Sequence, residues 1–144
     1  MAVHALVAAA VPTLAARRIL VATDFSDSGE AAVGVAAGYA RALHAPLHVL
    51  HVFSAQEVEV TRLLAGAAAE AGPDVPVTVA ATGGDPAAEI LRYAGEHAID
   101  LIVVGRHGRT GMSRVVLGSV AERVVRGARC PVLVVPTPGG QRHD

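Results

Sequence analysis

Gly105, Gly108 and Gly118-Ser119 stand in the pattern G-x2-G-x9-G-S. Arg106, Arg109 and Arg114 fall inside it, and no acidic residue occurs from Gly105 to Ala121. Glycines at such intervals let a backbone turn off a strand and approach a ligand closely. A helix starting just beyond them presents N–H groups without intrahelical partners and the positive end of its dipole. That combination is a seat for an anion, above all a phosphate. A glycine-lined turn with only a structural purpose is the bland alternative, but it does not require Gly118-Ser119. Individually, each arginine could equally belong to a solvated face.

Other chemistries find less support. No P-loop lysine pattern occurs, and no G-x-G-x-x-G follows the first apolar run. G-x-S-x-G is absent, and no serine has a histidine in a credible elbow arrangement. No catalytic residue is assigned and an efficient enzyme is not expected. Slow phosphoanhydride hydrolysis or autophosphorylation is the residual enzymatic alternative, the latter with Ser119 or Thr110 as phosphoacceptor. The chain holds 7 histidines, but no metal site is expected. His48 and His51 are an odd number apart on a strand and so point to opposite faces, and no cysteine or carboxylate joins them at ligand spacing. The single cysteine, Cys130, cannot form an internal disulfide. It reads as a small buried apolar residue in a reducing compartment.

A second loop contrasts with the basic one. Asp24, Asp27 and Glu30 follow Ile19-Leu20-Val21-Ala22 and would repel a phosphate. Asp24 suits hydrogen bonds from a ribose or base, or a place near a metal ion; its structural alternative is to cap the next helix.

Hydrophobic patterning supplies the elements that position these loops. Five apolar runs read as strands: Ile19 to Ala22, Leu47 to Val52, Val77 to Thr82, Leu101 to Val104 and Val132 to Val135. The alternation from Val77 and the leading Pro76 suit an edge strand. Four segments between the runs have helical spacing. The first has Asp27 as expected N-cap with Glu30 in a capping box, and an apolar face of Ala32, Val35, Ala36, Tyr39, Ala40 and Leu43. The second runs from Ala55 to Ala71 on Val60, Leu63, Leu64, Ala67 and Ala68, and Gly72-Pro73 stops it. Asp85 caps the third with Pro86 at its first position, and Ile90, Leu91, Ala94 and Ala98 form its inner face. Leu117, Val120, Ala121, Val124, Val125 and Ala128 line the fourth. Alternating strands and helices imply an α/β fold: an open parallel sheet with right-handed crossovers and helices on both faces. Ligands then sit beyond the carboxyl ends of the strands, where strand order reverses. The loops after the first and fourth strands are the candidates for that place.

Bulk properties agree. The 144 residues suit one ordinary domain, 52% hydrophobic yet 3% aromatic, so the core is built from alanine and branched aliphatics. A net charge of -1 gives no reason to expect nucleic acid as a partner. The first apolar stretch is interrupted by Pro12, Arg17 and Arg18, which excludes a membrane span there. A soluble, cytoplasmic protein is expected, with residues 1–16 as an N-terminal appendage and 137–144 as a polar tail.

The order of these pieces resembles the universal stress protein family over residues 17–136. The resemblance rests on Ile19-Leu20-Val21-Ala22-Thr23-Asp24-Phe25-Ser26, the Leu50-His51-Val52 strand end and Gly84-Asp85-Pro86. It continues through Asp100-Leu101-Ile102-Val103-Val104-Gly105 and the glycine series to Cys130-Pro131-Val132-Leu133-Val134-Val135-Pro136. The resemblance implies a Rossmann-like, adenine nucleotide alpha hydrolase-like sheet of five parallel strands in order 3-2-1-4-5. It also implies a homodimer, and ATP binding, with or without Mg²⁺. By this likeness Ala22, Thr23 and Asp24 lie along adenosine and Val52 meets adenine through its backbone. Gly105, Gly108 and Arg109 border ribose and phosphates, and Gly118, Ser119 and Val120 hold the phosphates. Val132, Leu133, Val134 and Val135 form an apolar edge strand that needs a cover, which a copy across a two-fold axis provides.

Two departures stand out: the stretch from Phe53 to Val77 is short for the family, and Arg106 occupies a position where many members have Ser or Thr. The expected function is a stress-response module acting through nucleotide occupancy. A nucleotide-free dimerisation or partner-binding scaffold is the alternative.

Overall fold

Ile19-Leu20-Val21 has no polar side chain to offer solvent, and it occupies the middle of the sheet with every residue 0% exposed. The computed structural model describes residues 17–53, 59–107 and 117–137. Along the chain these form β1 (Ile19–Ala22), α1 (Asp27–Leu43), β2 (Leu47–Phe53), α2 (Val60–Ala69), β3 (Val77–Gly83), α3 (Pro86–Glu96), β4 (Leu101–Gly105), α4 (Ser119–Gly127) and β5 (Val132–Val135). The strands make one parallel sheet ordered β3-β2-β1-β4-β5. The strand order reverses between β1 and β4, whose register pairs Ile19 with Leu101 and Ala22 with Val104.

Alternate strand residues feed two cores. Ile19, Val21, Val49, Leu101 and Val103 meet α1 and α2 on one face. Leu20, Leu50, Ile102 and Val104 meet α3 and α4 on the other. Each fully buried Leu, Ile or Val contributes about 2 kcal/mol through apolar burial.

Several boundaries differ from the sequence expectation. Ser26, not Asp27, is the N-cap of α1, its side chain accepting from the Gly29 N–H. Asp27 and Glu30 lie in the first turn, where their charge suits the dipole. The buried stripe of α1 is Ala32, Val33, Ala36, Ala37 and Ala40, while Tyr39 is 40% exposed. An alanine-rich helix carries little contrast between its faces, and the large ring misleads the phase. Helix α2 is described from Val60, so the expected start at Ala55 lies outside the described residues. Of its expected stripe only Leu64 is fully buried. Ala98 has left α3 and sits at φ 52, because the helix already ends at Glu96.

Other expectations hold. Strand β3 is an edge strand with Val79 45% exposed, and β5 is the opposite edge. Asp85 caps α3 by accepting from Ala88 N at 2.9 Å, with Pro86 in the first turn. His48 and His51 face opposite cores, toward Tyr93 and Phe25 respectively.

Cys130 is only partly buried, packed against the α3–α4 core. Burial pushes its thiol pKa up, and Asp100 adds to the effect. Iodoacetamide at pH 7.5 is therefore expected to label native Cys130 much more slowly than the same cysteine in urea-unfolded protein, because the thiolate is the reacting species. Equal rates in mass spectrometry would contradict this.

Candidate functional site

The chain leaves β1 through Thr23-Asp24-Phe25-Ser26, a turn held from several sides. Thr23 is buried, its N–H donating to Leu50 O at 3.0 Å. Its Oγ1 accepts from Phe25 N at 2.9 Å. Its carbonyl accepts from His51 Nδ1 at 2.8 Å, which fixes the proton of that ring on Nδ1. Phe25 takes a left-handed φ of 64, a conformation that costs a non-glycine residue about 1 kcal/mol. Its ring packs 4.6 Å from that of His51. Asp24 Oδ1 accepts from Ser26 N at 3.0 Å and Ser26 Oγ at 2.5 Å. The carboxylate is thus oriented by the cap of α1. Gly29 lies close beneath: a Cβ there would stand 2.7 Å from Thr23 Oγ1 and 2.8 Å from Asp24 Oδ1.

The described ends of the loop after β4 are pinned at their backbone. Arg106 N donates to Val135 O at 2.7 Å, at the end of β5. His107 N donates to Ser28 Oγ at 3.3 Å, and that hydroxyl donates to Val135 O at 3.4 Å. Gly118 N donates to Arg106 O at 2.8 Å. Gly118 thus uses its own amide inside the protein. Its value is steric instead, because a Cβ would sit 2.8 Å from Arg106 O and 3.2 Å from His107 Cα.

The first intrahelical bond of α4 is Glu122 N to Gly118 O at 2.9 Å, and the N-cap, Gly118, has no side chain with which to cap the helix; among the described residues no other side chain does so. The amides of Ser119, Val120 and Ala121 precede that bond and are the donors an anion would meet. Two acids beside the helix start are paired: Glu122 with Arg126 at 2.8 Å and Asp85 with Arg123 at 2.9 Å.

Between the two loops lies a cleft of about 340 Å³, a size typical of small-molecule sites. Ala22, Thr23, Asp24, Val52, Gly105, Gly118, Ser119 and Val120 all line it. Eight of the expected contact residues are therefore brought together. Gly108 and Arg109 lie outside the described residues. The sequence reading did not assign Gly29, Pro86, Ile90 or His107 to the cleft, yet they line it as well. A glycine in the first turn of a helix was the one available signal for Gly29. Pro86 and Ile90 enter because α3 packs across the end of the sheet, which no local pattern reveals.

The Arg123 guanidinium, with the Ala88 amide, holds the Asp85 carboxyl below its usual value of 3.8. A lowered carboxyl favours the folded state above the ordinary carboxylate range, and this contribution is lost as pH falls through the depressed value. Asp85→Ala is expected to lower the melting temperature at pH 7 and to flatten the fall in stability below pH 4. Thermal melts from pH 7 to 3 check it; a variant curve parallel to wild type would remove the assignment.

An open parallel sheet with a ligand-sized cleft at its strand-order reversal defines a doubly wound α/β fold. Comparison with known proteins narrows this. The model of the universal stress protein family matches residues 15–71 and 54–136, and the chain belongs to that family. The Bacillus subtilis universal stress protein YxiE is 33% identical over 147 aligned residues, covering 82% of this chain and 97% of the relative. A Methanocaldococcus jannaschii universal stress protein is 56% identical over 55 residues, which span 38% of this chain and only 32% of that protein. Among solved structures, a universal stress protein in complex with cAMP superposes with a TM-score of 0.74 at 30% identity, covering 85% of this chain and 98% of the other. The Archaeoglobus fulgidus universal stress protein in complex with dAMP gives 0.66 at 25% identity, covering 83% and 97%. No described helix is long and apolar enough to cross a membrane.

Proposed function

We propose that this chain is a stress-response module that binds an adenine nucleotide, with ATP as its ligand, and acts through occupancy rather than turnover. The observation that carries the reading is the cleft at the strand-order reversal, which the start of α4 and the turn after β1 line together. The first offers amides to phosphates; the second offers Asp24 to a ribose. In this reading Ala22, Thr23 and Val52 border the adenosine, and Gly118 keeps the backbone low enough for the phosphates to reach Ser119 and Val120. Mg²⁺ would be carried mainly by phosphates and water. The cAMP and dAMP complexes of proteins sharing this fold support the adenine class.

Isothermal titration with ATP and Mg²⁺, AMP and cAMP tests the reading, together with mass spectrometry of denatured protein for retained nucleotide. Micromolar binding of ATP is expected; no heat and no retained nucleotide would end it. Arg106 lines the cleft and has no carboxylate partner among the described residues. Arg106→Ser is expected to weaken ATP about tenfold, a change of about 1.4 kcal/mol, and adenosine hardly at all. Equal effects on both ligands would show that Arg106 does not read phosphate.

The same proposal includes a homodimer. Strand β5 is a sheet edge whose Leu133 and Val134 are only partly covered, and an exposed apolar edge invites pairing. Self-pairing of β5 about a two-fold axis would cover it, in a reducing cytoplasm. A dimer mass is expected by light scattering at micromolar concentration, converting to monomer in Val134→Lys; a monomeric wild type would remove this part.

A further inference from the structure

Away from the cleft, the α3 face of the sheet holds a cluster of three rings that the nucleotide reading does not use. His48 stands on β2, and its Nδ1 is 2.6 Å from the Tyr93 hydroxyl. Tyr93 stacks on His97 with centroids 3.8 Å apart and planes at 15°. The two imidazoles are 5.5 Å apart. His97 closes the end of α3, its Nδ1–H donating to Tyr93 O at 3.0 Å. Tyr93 is 8% exposed, so these contacts form the main polar anchor between α3 and β2.

We propose that His48, Tyr93 and His97 form an acid-sensitive latch that holds the α3 wall of the cleft, so that acidification loosens α3 and weakens nucleotide binding. Only the last step rests on the nucleotide reading above. Tyr93 lies one helical turn beyond Ile90, and Ile90 and Pro86 line the cleft. What anchors the Tyr93 end of α3 therefore positions the wall at its other end.

The groups facing His48 make it a poor place for a proton. From α3 come Tyr93 and His97, and from the start of β1 comes Arg18. Its register partners are Leu20 on β1 and Thr78 on β3, which bring no charge. On α3, Glu89 and Glu96 are both engaged by Arg92. Asp100 accepts from the Arg17 and Arg18 amides. A charged His48 would be half-buried beside Arg18 and a second imidazole, and its Nδ1 would have to donate to the tyrosine oxygen. Burial, then His97 and Arg18, lower its pKa from 6.5.

The sign follows. The unfolded chain, or one with α3 detached, takes the proton first. The contribution of the cluster is complete above about pH 6.5 and declines as pH falls from there toward the lowered value.

The test begins with wild-type protein. Imidazole resonances are followed by NMR from pH 8 to 5, with amide exchange of α3 measured at both ends. His48 should titrate below 6.5, and α3 amides should lose protection relative to α1 at pH 5.5. His48→Phe, which keeps the ring volume without a titrating group, should show a smaller loss of melting temperature between pH 7.5 and 5.5. His48→Gln, which removes the titrating group but keeps a polar side chain for the Tyr93 hydroxyl, serves if His48→Phe does not fold; it too should flatten the pH dependence. Cyclic AMP is the binding probe, because its phosphodiester keeps one charge over this range. Its Kd should rise about fivefold or more on going to pH 5.5 in wild type, and less than twofold in the variants. A His48 midpoint above 6.5, or parallel pH slopes in wild type and variants, would overturn the latch. A pH-dependent α3 with unchanged cyclic AMP affinity would overturn its link to the cleft. Absence of binding by cyclic AMP and ATP at pH 7.5 would instead remove the nucleotide reading, with the imidazole and exchange results still deciding the latch.

Discussion

Gly118→Ala is expected to lose nucleotide affinity about a hundredfold, equivalent to about 2.7 kcal/mol, while the fold persists. The added methyl would stand 2.8 Å from Arg106 O. That oxygen cannot retreat easily, because its residue is tied through its own N–H to Val135 O at 2.7 Å. The strain is relieved by lifting the start of α4 and breaking the 2.8 Å bond from Gly118 N to Arg106 O. The amides of Ser119 and Val120 then point away from the phosphate position, and the binding they supply is lost together. Ser119→Ala removes one hydroxyl and leaves the amides, so it should cost less than tenfold. Titration calorimetry with ATP measures both, and circular dichroism confirms that each variant is folded. Wild-type affinity in Gly118→Ala would mean that the helix start is not the anion seat.

A different glycine carries the largest stability effect. Gly105→Ala is expected to destabilise the protein by about 3 kcal/mol, the upper part of the usual range for overpacking a dense interior. Its Cβ would meet Ser28 Oγ at 2.6 Å and the Ser28 carbonyl carbon and oxygen at 2.8 Å. The contact is mostly with the α1 backbone, so shortening Ser28 should relieve only part of it. The double variant Gly105→Ala with Ser28→Ala should therefore stay well below wild type in urea melts. Full recovery would show that the hydroxyl alone sets the limit.

These two glycines illustrate how far the sequence could be read. Their spacing from a buried strand to a helix start marked both as necessary, and the structure agrees. What the spacing did not show at Gly118 is the partner of its amide, which donates to Arg106 O. Spacing reveals where a backbone must come close but not to which neighbour. The strands were legible because runs such as Leu101 to Val104 are apolar throughout and 3% exposed or less. The phase of α1 was not, because Ala and Gly fill so much of it that rotating the helix changes little in the apolar pattern. The His48–Tyr93–His97 cluster could not be read at all. It joins a strand to a helix that follows a whole crossover later, and only the register of β2 under α3 brings the rings together.

The alanine face of α1 has a consequence for how this protein can drift. Ala32, Ala36, Ala37 and Ala40 are all 1% exposed or less against the sheet. Small side chains permit a short distance between helix and strands, and a packed interior has no slack to absorb a new methyl. Enlarging any one of them would raise α1 as a rigid body and carry Ser26 and Asp24, tethered at its leading end, away from their places. On the opposite face Leu91 and Val125 are only partly covered and can change rotamer to make room. Variation accumulating in relatives that keep an intact cleft should therefore concentrate under α3 and α4, leaving the α1 side as a conserved small-residue plane.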